Sequence, residues 1–400
     1  MKILMPNHFP LQGSGSGIYA LNVALELLRA GHEVMAIVPE HRPVDEYPFE
    51  TRAIIFRDPD GAGGGAQLDF NFPCFTTHPR STITFAELSD TQMEAYVRAW
   101  RVAIGDAITD FKPDVIHAHH VWVTPCIAAE THVPYIVTCH GTDLLGFAQC
   151  ARYREMALAG ANGAHKIIAI SRQVKTDVVE TYGVADNRAV LIWNGFGVDH
   201  FKLIPDATKT AVLAEHNLPP ADGPLISFVG KFTEFKGIDV LLRAAKIYEQ
   251  HLGGAMTVLA GDGQLWDEMH ALRDELDLTG VHFLGHQSQD KVSRIYNAAD
   301  VSVVPSRFEA FGLVAIEALA CGTPVVATNE GGLPDFINDE VGALVPVDDP
   351  EALAAAIISE IEQNSKQTKG PNANRYAYQN FTWETQVAMM IDLYREAIAR

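Results

Sequence analysis

Residues 305–324 read PSRFEAFGLVAIEALACGTP, and the organisation of the chain is legible outward from them. Val301 to Pro305 form the end of a buried strand, Gly312 marks a tight turn, and Leu313 to Ala320 make an almost wholly apolar helix stopped by Gly322 and Pro324. Glu317 interrupts that apolar run. A carboxylate set among Leu313, Val314, Ala315, Ile316, Ala318, Leu319 and Ala320 loses its hydration if the helix is buried, at roughly 2–7 kcal/mol unless donors are supplied. Glu309 stands in the loop before the helix, so the positive helix end, with free backbone N–H groups suited to a phosphate, lies between the two acids. The plainer alternative is that Glu317 points to water from an edge and Glu309 is a solvated loop charge.

The 400 residues are 48% apolar with a formal net charge of −20, and the mean hydropathy is +0.03. That is core enough for two or three domains. No apolar run approaches the roughly 20 residues that span a bilayer, and the chain enters a strand at KILMP without the regions of a signal peptide, so the expected location is cytoplasmic. Such an acidic chain repels nucleic acid and anionic lipid over most of its surface. A phosphate must therefore be met by a local pocket, which makes a few well-placed lysines informative. Five scattered cysteines, Cys74, Cys126, Cys139, Cys150 and Cys321, never form C-x-x-C and are read as reduced packing residues.

In the first half, KILMP (2–6), the glycine turn GSGSG (13–17), the amphipathic run IYALNVALELLRAG (18–31) and HEVMAIVPE (32–40) make a βαβ unit. Gly15 and Gly17 stand where backbone can approach a ligand at a helix N-terminus, although Ala20 breaks the G-x-G-x-x-G spacing. A glycine turn with no ligand is the other reading. Residues 40–90 are irregular, with NFPCFTTHPRSTITFAELSD (71–90) expected over the mouth of a cleft and Arg80, Ser81 and Thr82 as acceptor contacts. DPD (58–60) has the form of a metal-binding D-x-D, but the loop GAGGGA (61–66) that follows is no packed scaffold, so a metal is not expected there. From 91 the βα rhythm resumes: a helix at 91–110, strand DVIHAHH (114–120), a helix near 124–131, strand PYIVTCHGTD (134–143), strand 166–170, a helix from Ser171 and strand 189–193, for five or six parallel strands. His117, His119 and His120 end a strand without the companion carboxylate of a metal site. His140 and Asp143, in the HGTD turn, either face a cleft together or close a hydrogen-bonded turn.

A linker over 202–224, containing PPADGP, marks a boundary, and the pattern then begins again. Strands at 225–230, 255–263, 281–285, 300–305 and 324–328 alternate with helices at 237–250, 264–276 and 289–298. The turn GKFTEFKG (230–237) places Lys231 and Lys236 at a strand end, as partners for a compact anion such as a diphosphate or as solvated loop charges. Glu330, Gly331 and Gly332 supply a third polar strand end. Two doubly wound α/β domains in tandem are the economical reading.

With these residues in view, the chain resembles the retaining GT-B glycosyltransferases of family 4, the glycogen synthase and sucrose synthase-like superfamily. The mark of that resemblance is the E-x7-E pair, Glu309 and Glu317, supported by GKFTEFKG, LAGDGQL, HFLGH, ISRQVKTDVV, NGFGVDHF and GSGSGIYALNVALELLRAGHEV. It implies two Rossmann-like domains facing a central cleft: an acceptor-binding domain over 1–200, with a final helix at 381–400 crossing back to it, and a donor-binding domain over 201–380. It further implies Glu309, His140 and Lys236 in catalysis. Gly15, Gly17, Asp143, Lys231, Lys236, His286, Phe311, Gly312, Leu313 and Glu317 are implied in substrate binding, with Phe311, Gly312 and Leu313 acting through their backbone and Glu317 through the nucleotide ribose. Lys231 replaces the more usual Arg, exchanging a bidentate grip for a point charge, and Ser14-Gly15 replaces Gly-Gly. The implied reaction moves a sugar from a nucleoside-diphosphate donor, a UDP-sugar, to an acceptor hydroxyl with retention and without metal or other cofactor. The acceptor, a small molecule, glycan or lipid-linked glycan, is left open, as is a homodimer; GSGI (15–18) and HGTD (140–143) also resemble the branch that glycosylates malate in bacillithiol synthesis. A nucleotide-sugar epimerase and a catalytically silent sugar-nucleotide-binding subunit are the alternative readings.

Overall fold

Short runs such as VIHAH, YIVTC and MTVLA, buried from end to end, are strands that a parallel sheet covers on both faces. The computed structural model describes residues 1–59 and 65–399; Asp60 of the D-x-D reading and residues 61–64 of GAGGGA lie outside the described residues. The chain divides into two units, Met1–Asn194 with Trp383–Arg400, and Gly195–Thr382.

The first unit holds a seven-stranded parallel sheet: β1 (Lys2–Pro6), β2 (Glu33–Glu40), β3 (Glu50–Ile55), β4 (Val115–His119), β5 (Tyr135–Cys139), β6 (Ile167–Ala169) and β7 (Ala189–Leu191), in the order β3-β2-β1-β4-β5-β6-β7. The direction of winding reverses between β1 and β4, and the carboxyl ends at such a reversal are where open α/β sheets hold ligands. Helix Gly15–Arg29 follows β1, its first turn closed by Ser14 Oγ accepting from the Gly17 N–H at 3.1 Å. The helix Trp383–Ile398 also belongs here, with Tyr394 fully buried.

One expectation for this half is corrected and one extended. Strand β3 raises the count to seven: ETRAII is a half-exposed edge strand carrying Glu50 and Arg52, so it lacks the apolar run that betrays a central strand. The stretch 71–90, expected over the mouth of a cleft, also contributes core that the sequence reading did not foresee, because Phe72, Phe75 and Phe85 are buried. Ser81 Oγ donates to the carbonyl of Phe72 at 2.6 Å, and Arg80 is ion-paired with the buried Glu40.

The second unit has six parallel strands, β8 (Leu225–Val229), β9 (Met256–Ala260), β10 (Val281–Gly285), β11 (Val301–Val304), β12 (Val325–Thr328) and β13 (Gly342–Val345), in the order β10-β9-β8-β11-β12-β13. The winding reverses between β8 and β11. Strand β13, only GALV, is one more than expected. The expected linker is also partly ordered core: Thr208 caps a helix over Lys209–Glu215, and Val212 and Leu213 pack beneath Leu225, Met256 and Ile295.

Candidate active site

In the second unit the chemistry-bearing residues follow the carboxyl ends of three adjacent strands. After β8 the chain makes the turn Lys231–Gly237, after β11 the loop Pro305–Gly312, and after β12 the turn Glu330–Gly332. Backbone contacts lock the three together. The N–H groups of Arg307 and Phe308 donate to the Phe235 carbonyl at 2.7 and 3.3 Å, and the Gly332 N–H donates to the Glu309 carbonyl at 3.0 Å. Gly331, at φ +54°, lies so close to that carbonyl that a Cβ would come within 1.8 Å of the oxygen. Arg307 adds side-chain bonds to Asp239 at 2.8 and 2.7 Å and to Asp348 at 2.6 Å. These fix the loop on the helix Ile238–Leu252 that follows the lysine turn.

The result is a contact between two sequence-predicted residues. Lys236 Nζ lies 2.6 Å from Glu309 Oε2, which also accepts from Ser306 Oγ at 3.3 Å. Lys231 is exposed on the same turn. The helix Leu313–Ala320 starts at Gly312, whose φ of +108° only glycine adopts readily, and no side chain caps it. The first N–H groups of that helix therefore have no side-chain cap, just after the loop that carries Glu309. Phe311 has its side chain buried against Phe336, so only its backbone can serve a ligand. Glu317 makes no hydrogen bond among the described residues, and burial pushes its carboxyl up to about 8. The side chain is half-buried, and the chain supplies it with no donor among the described residues. His286 is apart from this group: it is exposed and follows β10, the sheet edge, with β9 between it and β8.

In the first unit, Gly15, His119, His120 and His140 follow β1, β4 and β5 around the reversal of winding. Gly15 is exposed, with open space where a Cβ would stand. Gly17 packs closely: a Cβ there would lie 2.2 Å from the Pro10 carbonyl oxygen, so no larger residue fits the turn. Asp143 is likewise turned inward. Fully buried, it accepts from the Val121 N–H at 2.8 Å and the His140 N–H at 3.1 Å, which makes it a clamp of the HGTD turn. His140 retains 7% exposure, and burial pushes its imidazole down to about 3, so the ring is neutral.

Tyr19, Trp383 and Tyr394, which the sequence did not single out, complete this half. Tyr19 sets its ring edge-on to His140 at 4.8 Å and meets Trp383 at 5.2 Å. His117 bonds Tyr394 Oη at 2.8 Å and Thr138 Oγ1 at 2.7 Å. Only the three-dimensional return of the last helix brings Trp383 and Tyr394 here, so no local pattern could have marked them. Among the described residues no three His, Cys, Asp or Glu side chains are arranged to hold a metal ion.

Comparison with known proteins gives this geometry its class. Residues 13–200 match the family described as Glycosyltransferase Family 4, and residues 212–379 the family described as Glycosyl transferases group 1. Sucrose-phosphate synthase from Thermosynechococcus elongatus superposes with a TM-score of 0.78 at 25% identity, covering 100% of this chain and 99% of that one. HepE of Anabaena, solved in complex with UDP, has the same fold, with a TM-score of 0.74 at 19% identity over 99% and 100% of the two chains. Two such sheets flanked by helices define a GT-B glycosyltransferase. Among sequence relatives, an uncharacterized glycosyltransferase of Methanocaldococcus jannaschii is 29% identical over 72% of this chain and 76% of its own length. A D-inositol 3-phosphate glycosyltransferase of Xylanimonas cellulosilytica is 32% identical over 72% and 73%. The chain belongs to the family 4 glycosyltransferases. None of its described helices is long and apolar enough to cross a membrane.

Proposed function

We propose that this glycosyltransferase takes its sugar from a UDP-sugar bound by Gly195–Thr382 and passes it, with retention and without a metal, to an acceptor hydroxyl bound by the first unit. The observation that carries the reading is Glu317: a carboxyl with no hydrogen bond among the described residues, on an uncapped helix that follows the loop in which Glu309 is ion-paired with Lys236. A ribose offers adjacent hydroxyls as the missing donors, and a diphosphate is what an uncapped helix end and the Lys231–Lys236 turn suit.

As the donor's bond from C1 to the phosphate oxygen breaks, negative charge grows on the departing diphosphate. Lys236, Lys231 and the N–H groups after Gly312 stabilise that charge without reorganising. Glu309 is held near Lys236 by its ion pair, and its negative charge favours the oxocarbenium character of the sugar. The acceptor oxygen bonds to C1 from the face the phosphate leaves, and its proton passes to the departing phosphate oxygen. His140 contacts substrate from the first unit. The UDP bound by HepE and the acceptor in the name of the inositol-phosphate relative set the first candidates.

The experiment is a thermal-stabilisation screen of UDP-, GDP- and ADP-sugars, followed by incubation of the best donor with phosphorylated and free polyols. The expected product carries the donor's anomeric configuration by NMR. An inverted product would overturn the mechanism, and donor breakdown without any acceptor product would overturn the transfer itself.

A further inference from the structure

We infer that His119 acts as a positioning residue that fixes the proton of His140 on Nδ1, so that His140 meets its substrate as a hydrogen-bond donor and not as a base. This rests on the reading of His140 as a substrate-contacting residue.

The two imidazoles face each other directly. His119 Nδ1 lies 3.2 Å from His140 Nε2, with the rings 20° apart. His119 is fully buried and His140 nearly so, and burial holds both in the neutral form. A neutral imidazole carries one proton on one of two nitrogens, so the contact has one donor and one acceptor. His119 decides which. Its Nε2 is buried without a partner, and a buried N–H left without an acceptor is rarer and costlier than a bare lone pair. The His119 proton therefore sits on Nδ1, where a partner exists, and is donated to His140 Nε2. His140 Nε2 is then an acceptor, which places the His140 proton on Nδ1. That nitrogen has no partner among the described residues, and His140 is the only one of the rings at the ends of β4 and β5 with any exposure, 7% against 0% for His117, His119 and His120.

The support behind the pair is rigid. His119 stacks on His117 at 4.7 Å, and both nitrogens of His117 are held by hydroxyls. On the other side, Asp143 accepts from the His140 backbone N–H and Tyr19 packs edge-on against the ring. A ring fixed in position and in tautomer can offer one N–H to a sugar hydroxyl or phosphate oxygen, and it has no free lone pair with which to take a proton.

The test is 15N imidazole NMR of the full chain labelled at histidine, with His140→Gln used to assign the signal. The wild-type spectrum should show His140 protonated at Nδ1; protonation at Nε2 overturns the inference without recourse to any other variant. His119→Asn, whose amide nitrogen can donate from the Nδ1 position, should keep that tautomer and transfer sugar within about threefold of wild type. His119→Leu should release the tautomer and lower kcat about tenfold. Retention of the Nδ1 proton in His119→Leu overturns the inference. A changed tautomer with unchanged transfer upholds the control of the His140 proton by His119 but overturns the contact of His140 with substrate.

Discussion

Replacing Glu317 by Gln should make the ligand-free protein more stable, increasingly so as pH rises, while removing its response to nucleotide. The carboxyl, pushed up to about 8 from an ordinary value of 4.5, binds its proton more tightly folded than unfolded. A raised carboxyl pKa contributes stability that is complete below about pH 4.5 and is lost as pH rises towards 8. Each unit of such a shift is at most about 1.4 kcal/mol, and solvent reaches a half-buried side chain, so the ionised acid costs the second unit a part of that amount at pH 7 and more above pH 8. An amide has no such slope. The neutral substitution carries a packing and hydrogen-bonding change of its own, but that term does not depend on pH, so the widening gap between the two proteins is the diagnostic. From pH 5 to pH 8.5 it should grow by about 2–4 kcal/mol, measured as urea-dependent hydrogen exchange of peptides within Gly195–Thr382. Parallel stability curves across that range would refute the burial argument. The same proton links stability to binding. If ribose hydroxyls donate to an ionised Glu317, nucleotide binding at pH 7 releases a proton from that carboxyl, readable by calorimetry in buffers of different ionisation enthalpy, and the variant should lack that release.

Glu309→Gln and Lys236→Ala should each lower kcat by about a hundredfold or more with circular dichroism unchanged; near wild-type turnover by both would dissolve the site. Gly331→Ala should disorder the loop and lose both activity and thermal stability, because its Cβ would strike the Glu309 carbonyl oxygen. At Gly253, also at positive φ but with nothing near, the same change should cost only about 1 kcal/mol. Tyr394→Phe should destabilise the first unit by about 1–2 kcal/mol in urea melts, since His117 Nδ1 loses its buried partner.

The elements that announced themselves are those whose physics is local. GLVAIEAL is apolar around its whole circumference and bounded by glycines, so the helix Leu313–Ala320 and the misplaced acid on it are visible without coordinates. Lys231 and Lys236 stand out because cations are scarce in an acidic chain. Tandem βα periodicity carried the two sheets. What escaped depends on distant chain. Strand β3 is held by β2 rather than by an apolar run of its own, and Arg307 looks like a surface charge until Asp239 and Asp348 stand around it. Gly17 and Asp143 were legible as special positions, but whether a special position serves a ligand or the chain's own packing turns on Pro10 and Val121, which no spacing rule names.

The return of Trp383–Arg400 to the first 194 residues has a consequence for biosynthesis. Translation delivers Gly195–Thr382 as one uninterrupted segment, free to mature while the nascent chain is still tethered to the ribosome. The residues made before it cannot finish: the ring of Tyr19 and the imidazole of His117 wait for Trp383 and Tyr394, which are made after it. Vectorial synthesis thus reverses the order of maturation of the two units, and a chain broken off before Trp383 harms the unit whose synthesis began earlier.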